Sequence, residues 1–371
     1  MIPLFKVLMA PEAAEAVARV LASGYIGEGP EVAAFEAELS IALHTPVLAV
    51  NSGTSALTLA LRCAGAGPGT VVICPTMTCT ATPSAAIALG ARVAWADVDP
   101  RTGLLDLDAV ARLLRIYGGQ VRAILAVDWG GAQPDYVALR EIAQRVDAAV
   151  VEDAAHRLAP LPATDARGHY VCWSFQAIKF LTTGDGGALA TPPGQFDRAR
   201  VLRWFGLDRR SRADFRCEQR IQEAGYKFHL TDVAAAIGRA NLEHALGAVE
   251  AQQLNAALLR GLLADEPACA PVLASQGSSC WLFSVRLADA AARAAFQAHL
   301  QAAGIASSRV HARCDAHPGL DARAVASGTL PGTDEFDARA LAVPCGWWLS
   351  PADTLAVGET CAAWAQAQEV A

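Results

Sequence analysis

Residues 172–179 read CWSFQAIK and residues 182–187 read TTGDGG, so a lysine closes a largely apolar run and a glycine-rich turn follows it. Lysine is seldom buried unless paired, and burial disfavours its charged form. A desolvated lysine is what Schiff-base chemistry requires, because only the neutral amine attacks a carbonyl carbon. The glycines allow close backbone approach before the chain returns to a strand at Ala188–Thr191. Taken alone, a lysine before a loop is a surface residue. The residues upstream reverse that reading.

An apolar strand, Ala148–Val151, runs directly into Glu152 and Asp153. In a parallel sheet the carboxyl ends of the strands face the ligand crevice. A lone aspartate there caps a helix or meets solvent; with Lys179 and Ser174 downstream, Asp153 can hold a cationic ring nitrogen. The segment NSGTSAL at 51–57 lies between a strand and a helix. Its small hydroxyl residues and glycine suit an anion at the helix N-terminus, although serine and threonine are also ordinary caps. By contrast, GAGPG at 65–69 precedes its strand and reads as a turn, not a dinucleotide fingerprint. A phosphate cradle, a carboxylate for a pyridinium and an imine-forming lysine are the recurring protein contributions to pyridoxal-phosphate (PLP) chemistry.

Outward from these motifs, helical and strand periods alternate. Helices are expected at Ala13–Ser23, Glu31–Leu43, Thr54–Cys63, Ala81–Leu89, Asp106–Leu114 and Tyr136–Arg145. Strands are expected at Val47–Val50, Val71–Cys74, Arg92–Ala96, Val121–Val127 and Ala148–Glu152. This alternation predicts an α/β fold with a mainly parallel sheet covered on both faces. After residue 235 the pattern changes. An Ala/Leu-rich helical stretch covers Val233–Leu246 and Glu250–Leu263, then a strand at Cys280–Arg286, a helix at Ala290–Ala303 and a second strand at Ser307–His311. The division expected is a large domain over 1–245 and a smaller α+β domain over 246–371, bridged by one long helix.

Composition narrows the function classes. The 371 residues are 53% hydrophobic and 18% charged, enough for packed cores in two domains. The formal net charge is −7 with scattered arginines, which excludes the basic stripe of a nucleic-acid binder. Arg209, Arg210 and Arg212 form the one local basic cluster, either a solvated loop or an anion site. Apolar runs such as Val121–Val127 are far below the roughly 20 residues of a membrane span. The opening MIPLFKVLMAPEAAEA is unlike an export signal, so a cytoplasmic location is expected. Ten cysteines without a CxxC pair read as reduced thiols, with no metal site.

The ordered set resembles the DegT family of PLP-dependent sugar aminotransferases, which adopt the aspartate-aminotransferase (fold type I) architecture. The resemblance is carried by SGYIGEG at 23–29, NSGTSAL at 51–57, EDAAH at 152–156, SFQAIK at 174–179 with GDGG at 184–187, and GYKFHLTD at 225–232. Val310-His311, His317-Pro318 and Val343-Pro344 fit its C-terminal pattern. It implies an amino group moved from an amino acid, L-glutamate above all, to a nucleotide-linked keto sugar. A keto-cyclitol or free keto sugar, or a non-catalytic PLP-binding regulator, is the alternative. It also implies a homodimer with shared active sites. Gly53, Thr54, Ser55 and Ser174 would bind the cofactor phosphate, Asp153 the ring nitrogen, and Lys179 the cofactor as a Schiff base. His156 would lie near the phenolic oxygen, where many members have Gln. His311 and His317 would face the sugar. Three positions depart from the pattern: Cys79 replaces a stacking aromatic, Lys227 an Asn that often reaches a neighbouring subunit's phosphate, and Asp128 a common His. A branch that acts as a dehydratase carries His at the lysine position, and Lys179 argues against it.

Overall fold

A computed structural model describes residues 1–161, 166–210, 218–275 and 277–369. The N-terminal part runs α1 (Ala13–Ser23), α2 (Pro30–Ala42), β1 (Leu48–Val50), α3 (Gly53–Cys63), β2 (Val71–Pro75), α4 (Ala81–Ala88), β3 (Arg92–Ala96) and α5 (Leu107–Tyr117). It continues through β4 (Val121–Val127), α6 (Tyr136–Gln144), β5 (Ala149–Asp153), β6 (Tyr170–Ser174), β7 (Gly187–Ala190) and α7 (Phe196–Leu202). After α8 (Asp232–Leu262) come β8 (Ala270–Pro271), β9 (Phe283–Arg286), α9 (Ala290–Ala302), α10 (Pro318–Asp321), β10 (Ala324–Val325), α11 (Pro331–Arg339), β11 (Ala340–Val343) and α12 (Pro351–Glu369).

Eight strands form the main sheet in the order β1-β7-β6-β5-β4-β2-β3-β10. From β6 to β10 neighbours pair in parallel, while β7 runs antiparallel to both β1 and β6. Every residue of β2 is buried, as both faces are covered by helices. One face packs Phe35, Leu39, Trp173, Phe175 and Ala235 between the sheet and α2 and α8. The α3 side chains Leu57 and Leu61 pack with Val72, Cys74 and Leu189. Helix starts carry side-chain caps: Asp106, Asp135 and Asp289 accept from the backbone N–H three residues on, and Thr231 does so for α8.

The chain's second half departs from the sequence expectations in three places. The strand expected at Ser307–His311 does not form; only Ser308 pairs, in an isolated bridge to Ala342. The strand that completes the small antiparallel sheet, ordered β11-β9-β8, is the short apolar run Ala340–Val343. The strand expected from Cys280 starts at Phe283, because Cys280 has a positive φ of 52° and cannot extend the ladder. Finally, β10 pairs with β3, so a two-residue piece of the C-terminal part closes the large sheet.

The 31-residue α8 is one unbroken helix, about 46 Å long at 1.5 Å per residue. Buried Asn241 in it accepts from the Ala10 N–H (2.7 Å) and donates to the Thr182 carbonyl (2.9 Å). Further along, Gln252 donates to the Cys280 carbonyl (2.6 Å). One rigid element therefore holds the turn after Lys179 and the segment that begins the second half.

Candidate active site

The parallel strands β2, β4, β5 and β6 point their carboxyl ends at one cavity of about 350 Å³. Asp153 ends β5, Ser174 ends β6, and α3 presents its N-terminus from the loop after β1. Ser52 caps α3 by accepting from the Ser55 N–H, which leaves the first turn's remaining N–H groups facing the cavity beside Gly53 and Thr54. Gly53 is required by close approach: a Cβ there would lie 2.8 Å from Ser174 Cβ. Gly187 is required likewise, since a Cβ would meet the Trp173 carbonyl oxygen at 2.6 Å and the Ser52 carbonyl oxygen at 2.7 Å. These two glycines let the helix terminus, β6 and β7 converge on one point, where N–H groups and the Ser174 hydroxyl form a cradle for an anion.

Opposite the cradle lies a buried carboxylate. Asp153 accepts from Thr82 Oγ1 (2.8 Å) and from the Ala155 N–H (3.1 Å), and Thr82 shares a further hydroxyl contact with Thr78 (2.8 Å). Burial raises its pKa, opposed by those two bonds and by the Lys179 charge. Lys179 moves the other way. Burial lowers its ammonium pKa to about 8, while Asp153 and Cys79 oppose the shift. The Lys179 Nζ lies 3.7 Å from the centroid of the Trp281 ring.

Two histidines complete the wall. The His156 ring stacks on Trp281 with centroids 3.9 Å apart and planes 19° from parallel. Its Nδ1 accepts from the Gly130 N–H (3.3 Å), and burial, Lys179 and His311 push its pKa well down. His156 is therefore neutral with its proton on Nε2, a donor. His311 is pushed down to about 4 by burial and by Lys179, and its buried Nε2 has no partner among the described residues. Beside the cavity, Asp128 accepts from the Tyr136 hydroxyl (2.6 Å), and Glu152 accepts from the Gly168 N–H (2.8 Å). Burial and the facing Glu152 raise Asp128 well above the carboxylate range.

Of the residues singled out in the sequence, Gly53, Thr54, Cys79, Asp153, His156, Ser174, Lys179 and His311 line this cavity. Three do not. Ser55 turns its hydroxyl back to Asn51 Oδ1 (2.6 Å), the backward bond a helix side chain makes four residues upstream. Lys227 lies over the Trp204 ring at 3.7 Å, because its backbone is held beside Asn51 and Trp204. His317 is exposed at the start of α10. In the basic cluster, Arg209 pairs with Glu28 (2.5 Å) and Arg210 is exposed; Arg212 lies outside the described residues. Sequence reading missed Thr82, Asp185 and Trp281 in the lining. Thr82 is one turn along α4 from Cys79, a spacing that could have found it; Trp281 carries no local signal.

A lysine and a buried carboxylate that share one cavity with a helix N-terminus, on a sheet of this strand order, define a PLP-dependent transferase of fold type I. The chain belongs to the DegT/DnrJ/EryC1/StrS aminotransferase family, whose family model matches residues 8–361. A dTDP-4-dehydro-2,3,6-trideoxy-D-glucose 4-aminotransferase of Saccharopolyspora spinosa is 32% identical over 280 residues, 72% of each chain. Among solved structures, the sugar aminotransferase CalS13 of Micromonospora echinospora superposes with a TM-score of 0.89 at 35% identity, covering 98% of this chain and 100% of its own. AtS13 of Actinomadura melliaura gives 0.90 at 37% identity and 98% coverage of both chains.

Proposed function

We propose that this aminotransferase moves an amino group from L-glutamate to a nucleotide-linked keto sugar, using PLP held in the cavity. The observation that carries the reading is the convergence of Lys179, Asp153 and the α3 N-terminus on one cavity. The relatives' names support a sugar acceptor.

The cavity fits the cofactor. Gly53, Thr54 and Ser174 would hold its phosphate, Asp153 its protonated ring nitrogen, and the His156 Nε2–H its phenolic oxygen. Bound there, PLP supplies a carbonyl carbon for the amino group and a ring that draws off electrons. Asp153 keeps the ring proton in place, and the Thr82 hydroxyl keeps Asp153 ionised. With the cofactor in place, Lys179 would hold it through Nζ and, as a free amine, would carry a proton between the substrate carbon and the cofactor. Such proton relays contribute about 10²–10⁴-fold in rate. Trp281, His156 and His311 line the cavity with Lys179.

The working unit is a homodimer in the cytoplasm. Exposed Tyr25, Ile26 and Phe205 sit on segments tied together by the Arg209–Glu28 pair, an apolar face suited to a second copy. Lys227 would reach the second copy's cradle as a point charge. The nine described cysteines are free, as a reducing compartment keeps them, and no described helix is long and apolar enough to cross a membrane. Two domains, 1–245 and 246–371, are bridged by α8.

The test is the visible spectrum of the purified protein before and after L-glutamate. The band of lysine-bound PLP should give way to the amine form, and Lys179→Ala should lose both the band and at least 10²-fold in turnover. A Lys179→Ala protein with full turnover overturns the reading. Light scattering tests the dimer; a fully active monomer refutes it.

A further inference from the structure

Trp281 belongs to no sequence motif read above, yet it lines the cavity and contacts Lys179, His156, Phe5 and Ile178. Its ring face lies under the Lys179 ammonium at 3.7 Å. It stacks with His156 at 3.9 Å and with Phe5 at 5.1 Å, the latter with planes 25° apart. Its indole N–H donates to the Ile178 carbonyl (3.3 Å), one residue before the lysine. Trp281 is buried at 5% exposure, and Gln252 of α8 anchors the preceding carbonyl. The indole is thus fixed from several sides, with its π face offered to one flexible cation.

We propose that Trp281 is the positioning residue that stabilises Lys179 in its ammonium form. A ring quadrupole attracts an ammonium and gains little from a neutral amine. The indole therefore acts on only one of the two states between which Lys179 alternates. As a neutral amine, Lys179 attacks a carbonyl carbon or takes a proton; as an ammonium it gives the proton back, so no net proton is consumed. The other groups that face its Nζ are Asp153, Cys79, Asp185, His156 and His311. Both histidines are neutral near pH 7, their pKa values pushed down by burial and by Lys179 itself. Asp153 lends its charge to the ring nitrogen when PLP is bound. Trp281 then stays in contact with the lysine cation, while exposed Asp185 adds negative charge to the lining. This role rests on the lysine chemistry proposed above, but it can be read without cofactor.

The sequence contains three lysines, Lys6, Lys179 and Lys227, so [ε-13C]lysine gives three resonances that Lys→Arg variants assign. The experiment titrates Lys179 by NMR in full-length apoprotein carrying tryptophans with zero to four ring fluorines at position 281 only. Fluorines weaken the π face while nearly preserving its size. From a starting midpoint near 8, the midpoint should fall stepwise by about 0.4–1.5 units in total, the equivalent of a cation–π contact. A midpoint that stays within about 0.2 unit across the series overturns the proposal. Trp281→Leu supplies a second, opposed readout: loss of the π face lowers the midpoint, whereas a ring that merely excluded water would raise it on removal. A rise refutes the proposal. If the visible spectrum of the loaded protein fails its own test while this titration behaves as stated, the cofactor reading falls and the Trp281 contact stands.

Discussion

Gly53→Ala tests the anion cradle where its geometry is tightest. The added Cβ would lie 2.8 Å from Ser174 Cβ, 3.1 Å from its Oγ and 3.2 Å from its Cα. Non-bonded carbons rest at about 3.5–4.0 Å, so the α3 terminus and the end of β6 must part by about 0.7–1.2 Å. Neither partner can yield cheaply. Gly53 opens a helix whose capping bond runs from Ser55 N–H to Ser52, and Ser174 sits in a strand paired with Gly187. Overpacking of this kind costs about 1–3 kcal/mol. In the free protein the two segments can relax apart, but a phosphate gripping both N–H groups and the Ser174 hydroxyl pulls them together again. Most of the strain should therefore be felt on binding, weakening PLP affinity about 5–150-fold at 1.4 kcal/mol per tenfold. The assay is titration of the apoprotein with PLP, followed by the visible band. Affinity within twofold of the parent protein would show that the phosphate does not sit between Gly53 and Ser174.

Thr82→Val removes a donor to the buried Asp153 carboxylate, a bond of about 1.5–3 kcal/mol when one partner is charged. The acid limb of the kcat–pH profile should move up by about 1–2 units; an unmoved limb denies Asp153 its role. His156→Gln keeps a donor near the same place and should stay within tenfold of parent activity, while His156→Phe loses more; equal losses sink the donor role. Asp128→Asn concerns stability. Burial and Glu152 raise the folded-state pKa of Asp128, so the folded protein binds a proton that the unfolded chain has released. Stability then falls as pH rises from the unfolded pKa near 3.8 toward the raised folded value, and Asparagine removes that loss. Thermal unfolding of parent and variant should diverge as pH rises, with the variant ahead; parallel curves contradict the buried acid.

Much of the site was legible because its residues announce themselves against their surroundings. Lys179 interrupts an apolar run, Asp153 ends one, and Gly53 stands at a strand-to-helix turn. Each breaks a local pattern for a reason that chemistry supplies. The large sheet was legible for the same reason, since parallel strands buried on both faces read as short apolar blocks. The C-terminal part was harder. Ser307–His311 has the alternation of a strand, but a strand needs a partner, and beyond Ser308 the chain leaves Ala342 to bring His311 to the cavity. Ala340–Val343 is a four-residue run whose pairing with β9 only the tertiary fold reveals. Ser55, Lys227 and His317 sit in motifs of the right type, but where each side chain points depends on contacts with Asn51, Trp204 and the start of α10.

Trp281 shows most clearly why the remainder was hidden. Its partners Lys179 and His156 lie more than a hundred positions upstream in the large sheet, and α8 separates the two halves in the chain. The same helix joins them in space, holding Thr182 through Asn241 and Cys280 through Gln252. The electrostatics of the cavity follow from that junction. Burial raises Asp153 and lowers Lys179, His156 and His311, each shift opposing the charged form. A cofactor with a cationic ring nitrogen and an anionic phosphate would relieve the first and engage the helix terminus, and the neutral form of the lysine would be the one that holds it. The fold thus stores an unfavourable charge arrangement that this kind of ligand corrects. Ligand binding should consequently stabilise the protein by RT ln(1 + [L]/Kd), and the gain should shrink in Gly53→Ala and Asp153→Asn but not in Asp128→Asn, whose carboxyl lies outside the cavity.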